Sequence, residues 1–90
     1  MNYAEALNLT EAALEADPLV PSVADLELVF RFNLGSDRVE LAEFYDSVYV
    51  GEGFRLIVAA DGSGYLVRGD RVYFIPSEAD DDEPLAEALV

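Results

Sequence analysis

Glycine punctuates the second half of this chain at intervals that only short strands can fill. Gly51-Glu52-Gly53, Asp61-Gly62-Ser63-Gly64 and Gly69-Asp70 bound three segments, residues 54–60, 65–68 and 71–75, rich in Val, Leu, Ile, Tyr and Phe. None reaches the roughly 11 residues of an average packed helix, and their side chains suit a pleated, half-buried surface. Glycine adopts the positive φ that tight turns need at little cost. Pro76 ends the run, because proline has no N–H to give to a ladder.

Ahead of this sheet, Asn2 stands three residues before Glu5, and Asn8 three before Glu11, the spacing of a helix N-terminal capping pair. At 100° per residue, Tyr3, Ala6, Leu7, Leu9, Ala13 and Leu14 fall in one arc about 160° wide, opposite Glu5, Asn8, Glu11, Ala12 and Glu15. An amphipathic helix over about 3–16 is predicted. Asp17-Pro18 stops it, since proline disfavours helical geometry in the residue before it. The solvent face of this helix is uniformly negative.

Leu26, Leu28, Phe30, Phe32 and Leu34 alternate with Glu27, Val29, Arg31 and Asn33, and this period of two predicts a half-buried strand over 26–34, broken by Gly35-Ser36-Asp37. Residues 38–46 admit two readings. Leu41, Phe44, Tyr45 and Val48 keep helical spacing, with Asp37 and Glu40 as a cap; Val39 and Leu41 would equally serve a strand paired with the preceding one. The short helix is favoured. Residues 77–83 read as an acidic loop, after which Asp82 or Glu83 before Pro84 would open a short terminal helix through Leu85, Leu89 and Val90. The predicted fold class is α+β: a small antiparallel sheet of four to five strands, an N-terminal amphipathic helix and one or two short further helices. Residues 1–77 make one globular domain, and 78–90 an acidic C-terminal segment.

Nineteen Asp and Glu stand against five Arg, with no Lys or His, for a net charge of −14. Chains this charged stay disordered when apolar content is low, but here 52% of residues are hydrophobic, including five Phe and five Tyr. The charge is segregated. Residues 1–30 hold Glu5, Glu11, Glu15, Asp17, Asp25 and Glu27 and no base; residues 78–90 hold Glu78, Asp80, Asp81, Asp82, Glu83 and Glu87 and no base; all five Arg lie in the nearly balanced middle, 31–77.

This composition removes much catalytic chemistry. No His is present to act as a base near neutrality, and no Cys or Lys to supply a thiolate or Schiff base. No serine lies in a Gly-x-Ser-x-Gly elbow. Paired carboxylates could hydrolyse glycosides, but a 90-residue domain offers little room for a cleft. Asp80-Asp81-Asp82-Glu83 lacks the alternating ligands and glycine bend of a calcium loop, and Gly51-Glu52-Gly53 puts a carboxylate where a phosphate would sit. The expectation is a protein with no catalytic residues, metal or cofactor. Direct nucleic-acid binding is disfavoured because affinity for phosphates comes from Lys and Arg. Arg68-Gly69-Asp70 reads as a hairpin turn. No apolar run approaches the roughly 20 residues of a membrane span, and the first residues carry an acid where a secretory leader carries a base, so a cytoplasmic location is expected.

What remains is binding. Negative faces steer basic partners and select among them, and spaced carboxylates can occupy a site built for nucleic acid. The base-free termini and one-signed helix face resemble, in type, the small acidic inhibitors made by phages and mobile elements. The expected partner-binding residues are Glu5, Glu11 and Glu15 on the helix, with Asp80, Asp81, Asp82 and Glu83 in the terminal segment. The expected partner is a basic protein surface, that of a nucleic-acid-binding protein or nuclease. Asp61-Gly62-Ser63-Gly64 followed by Gly69-Asp70-Arg71-Val72-Tyr73-Phe74 also resembles the C-terminal hairpins of the SUKH superfamily, which implies an immunity protein neutralising a toxin. A third reading takes the acidity, with Lys absent, as the mark of a GC-rich or halophilic source and the chain as a structural or scaffold domain. A homodimer would use the near-neutral residues 31–77, because −14 per subunit opposes contact between the charged faces.

Overall fold

Because the connections between Tyr45 and Ile75 are only two to four residues long, each strand there pairs with the one before it. In the computed structural model, which describes residues 1–89, β1 (Tyr45–Gly51), β2 (Phe54–Ala59), β3 (Gly64–Arg68) and β4 (Arg71–Ile75) form an antiparallel meander, and β5 (Glu87–Leu89) adds to β4. Register runs through Val48↔Ile57, Ile57↔Tyr65, Tyr65↔Phe74 and Val72↔Ala88. Gly69-Asp70 is a two-residue hairpin between the paired Arg68 and Arg71. Gly69 alone there has positive φ (+64°), the requirement at the first position of a type II′ turn.

Alternation along the strands gives the sheet two apolar faces. Val48, Ile57, Ala59, Tyr65 and Val72 point to one, under α2 (Val23–Phe32) and α3 (Arg38–Phe44). Leu56, Leu66, Tyr73 and Ile75 point to the other, under α1 (Tyr3–Ala13). The fold is α+β in three layers: α1, a five-stranded antiparallel sheet, and the α2–α3 pair. The short helix favoured after Asp37 is present as α3, with Asp37 Oδ1 accepting from the Glu40 N–H at 2.7 Å.

Two expectations are overturned. Residues 26–34 form no strand; through Phe32 they belong to α2. Ser22 and Asp25 build a capping box, in which the Asp25 N–H donates to Ser22 Oγ (3.2 Å) while the Ser22 N–H and hydroxyl donate to Asp25 Oδ2 (2.9 and 2.8 Å). Leu, Glu and Arg then continue the helix at little cost. The alternation misleads because α2 finds apolar contacts on several sides. Val29 is fully buried on the sheet, the Phe32 ring lies 4.9 Å from that of Tyr65, and Phe30 is covered by the Arg38 guanidinium at 5.1 Å.

The second correction concerns the terminal segment, which forms β5 and not a helix; Val90, assigned to that helix, lies outside the described residues. A helix there would leave the outer edge of β4 bare, whereas the extended chain satisfies it. The Phe74 N–H donates to Ala86 O at 2.9 Å, and Arg71 Nη1 meets Glu87 Oε1 at 2.7 Å.

Two polar contacts lock the α2 layer to the sheet. Asp25 is 3% exposed and meets Arg55 Nη2 of β2 at 3.0 Å. Burial pushes its carboxyl up, but hydrogen bonds from Ser22 and then from Arg55 outweigh this and hold it below its ordinary value. Asn33 Nδ2 donates to the hydroxyl of Tyr65. Burial first, then the neighbouring Tyr65, pushes the Tyr45 hydroxyl far above its ordinary value.

Candidate functional site

The seven acids singled out from the sequence are all exposed: Glu5 and Glu11 stand on α1, Glu15 lies two residues past its end because the helix stops at Ala13 and not at about residue 16, and the other four lie in the 80–83 loop. Asn2 caps α1 as its spacing predicts, its Oδ1 accepting from the Glu5 N–H at 2.9 Å. A helix leaves its first four N–H groups without intrahelical partners, and here those of Tyr3, Ala4 and Glu5 find partners outside the helical ladder. The Ala6 N–H bonds Asn2 O, while Tyr3 and Ala4 donate to Glu83 O and Asp81 O, each at 3.1 Å. Leu85 N–H returns to Met1 O at 3.1 Å. The main chain of the acidic loop thus caps the helix, and its carboxylates lie near the positive end of the helix dipole.

This arrangement brings Glu5 together with Asp80, Asp81, Asp82 and Glu83 at one end of α1. Glu11 and Glu15 stand apart from them. Glu11 is about 9 Å from Glu5 along the axis at 1.5 Å per residue and turned by about 120° from it around the helix, and Glu15 lies beyond the helix end. The site is therefore two carboxylate groups joined by a helix. None of the seven side chains is ion-paired among the described residues, where the three ion pairs are Arg38–Glu27, Arg55–Asp25 and Arg71–Glu87. Among the described residues no group of three or more acids converges as a metal site would require, and no helix is long and apolar enough to cross a membrane.

A feature that sequence reasoning missed lies beside Glu11. Tyr3, Leu7 and Thr10 of α1, with Leu14 at its C-cap, form one wall of a groove of about 270 Å³; Leu56, Val58 and Ile75 form its floor, and Gly62, Ser63 and Gly64 its end. Helical projection puts Leu7 and Leu14 on the buried arc, yet they are 39% and 51% exposed. The small Ala6, Thr10 and Ala13 make the close contact with the sheet instead. The 160° arc is the available signal, being wider than one line of contact can bury. Next to the groove, Ser63 donates from both its hydroxyl (2.6 Å) and its N–H (2.9 Å) to Asp61 Oδ1, and these bonds, the hydroxyl first, hold the Asp61 carboxyl below its ordinary value.

No family model, curated protein or solved structure matches the chain.

Proposed function

We propose that this chain is a non-enzymatic acidic binding protein that inhibits a basic, nucleic-acid-binding protein by presenting carboxylates where that partner expects phosphates. The observation that carries the reading is the separation of charge. The three ion pairs found among the described residues involve none of the seven carboxylates on α1, just past its end and in the 80–83 loop, so these remain available to a partner. A carboxylate meeting Arg or Lys in an ordered, charge-assisted bond contributes about 1.5–3 kcal/mol.

The helix alone does not suffice. Glu5 and Glu11 lie about 9 Å apart along the helix, whereas a DNA strand carries one charge per roughly 3.4 Å. The reading therefore needs the 80–83 loop as well. The non-enzymatic part rests on the missing His, Cys and Lys, and on Asp25. This buried carboxyl is held ionised by Ser22 and Arg55, the wrong direction for a general acid.

The test is capture from a host-like lysate on tagged protein at about 0.1 M salt, where exposed charges still act over roughly 10 Å, followed by elution in a salt gradient. A single nucleic-acid-handling protein, released by salt and displaced by DNA or RNA, is the expected result. A toxin nuclease in its place would shift the function to immunity. The double reversal Glu11→Lys with Glu15→Lys should abolish capture; a bound protein indifferent to that reversal and to salt would refute the proposal.

A further inference from the structure

The groove between α1 and the sheet combines an apolar floor with acceptors and no cation. Leu7, Leu14, Leu56, Val58 and Ile75 give it apolar surface open to solvent. Two of its three hydroxyls have committed their protons inward: Thr10 Oγ1 donates to Leu7 O at 3.2 Å, and Ser63 Oγ to Asp61 Oδ1 at 2.6 Å. Glu11 lies four residues after Leu7 and three before Leu14, so it borders their stripe at the edge of the polar arc. Glu15 and Asp61 follow immediately in the chain from Leu14 and before Gly62. An occupant therefore needs apolar side chains to fill the groove and hydrogen-bond donors or positive charge to meet its edges.

We infer that this groove receives a short, basic amphipathic segment of a partner protein, one or two apolar side chains seated between α1 and β2 with Arg or Lys beside them against Glu11, Glu15 and Asp61. The inference rests on the reading of the chain as an acidic binding protein and adds an anchor that charge alone does not supply. A volume of about 270 Å³ is just under the roughly 300–1,000 Å³ of sites that enclose whole small molecules, and suits inserted side chains. An anionic lipid or fatty acid would find no base among the lining residues; Arg68 and Arg71 sit at the other end of the β3–β4 hairpin. A second copy of this chain is a poor occupant, since at a net charge of −14 two copies repel one another.

The experiment uses two labelled helical peptides of about 14 residues, one with Leu at i, i+3, i+4 and i+7 among Arg and Ala, the other with Ser replacing each Leu. Binding to the full chain is followed by fluorescence anisotropy. The Leu peptide should bind at least about tenfold more tightly. Leu7→Ser and Leu14→Ser should each remove most of that advantage. Leu34→Ser, at a still more exposed leucine in the α2–α3 connection, should keep it. Glu11→Gln with Glu15→Gln should weaken both peptides and flatten their salt dependence while preserving their ratio. Equal, salt-sensitive binding of both peptides would overturn the groove and leave the acidic reading standing. Failure of both to bind would overturn the groove too, with capture from lysate then deciding the acidic reading on its own.

Discussion

Asp25 offers the sharpest test of how α2 is held. One oxygen, Oδ2, accepts from the Ser22 N–H, the Ser22 hydroxyl and Arg55 Nη2, at 2.9, 2.8 and 3.0 Å. Asp25→Ala removes the capping box, about 1 kcal/mol, and a charge-assisted bond of about 1.5–3 kcal/mol. Stranding a buried charge can cost about 3–5 kcal/mol, but the Arg55 side chain is 42% exposed and water meets part of its need. The expected loss is about 3 kcal/mol. Domains carry roughly 0.05–0.15 kcal/mol per residue, so this is at least a fifth of the total here. In urea the midpoint should fall with the slope m unchanged. Ser22→Ala should cost about 1 kcal/mol, and Asp25→Asn, which keeps an acceptor but no charge, an intermediate amount.

The same residue predicts a pH response. Its folded value lies below the ordinary 3.8, so its contribution is complete above about pH 4 and is lost as pH falls further. Wild type should lose more stability than Asp25→Asn between about pH 4 and 2. If Asp25→Ala costs no more than Ser22→Ala, the Arg55 contact stabilises nothing and the reasoning fails.

Two further predictions concern the sheet and its tyrosines. A Cβ at Gly64 would lie 2.5 Å from the Ile57 carbonyl oxygen on β2, which is backbone and cannot yield; Gly64→Ala should cost about 2–3 kcal/mol in the same urea assay, and a neutral result would mean that β2 and β3 sit farther apart. Tyr45, buried and pushed above its ordinary value of 10.0, favours the protonated form in the folded state, so its contribution is present below about pH 10 and is lost as pH rises beyond it. Tyr45→Phe should lose less stability than wild type between about pH 8 and 11, measured by thermal melts; parallel losses would argue against a buried hydroxyl.

Much of the fold can be read from the chain because its strongest signals are local. Glycine turns mark β2, β3 and β4 to within a residue, and the Asn2 and Asp37 caps give the starts of α1 and α3. The α2 segment defeats the same reasoning because periodicity assumes one apolar face, whereas Val29, Phe30 and Phe32 touch three different neighbours. The Ser22–Asp25 spacing is the better guide there, since a cap is local and does not depend on what the helix later packs against. β5 is illegible for a different reason. Three residues that pair across a distant edge carry no pattern of their own, and only the unfilled side of β4 calls for them. The acidic positions are legible in one dimension, but their grouping is not. That Glu5 meets the 80–83 loop while Glu11 and Glu15 do not depends on backbone bonds between opposite ends of the chain.

Those bonds have an entropic consequence. The meander closes through turns of a few residues, but joining residues 1–4 to 81–85 closes a loop of about 80, at a cost near 4 kcal/mol by the logarithmic law. It also gathers five negative charges into one place. The pairings among β1 through β4 close through their own short turns, so the latch is expected to close last as the chain folds and to open first as the molecule breathes. Salt, by screening the gathered charges, tightens it. A cationic partner spanning both sides would do the same by mass action, and its arrival would register as slowed exchange of the Tyr3 and Ala4 amides, two hydrogens that the partner itself need never touch.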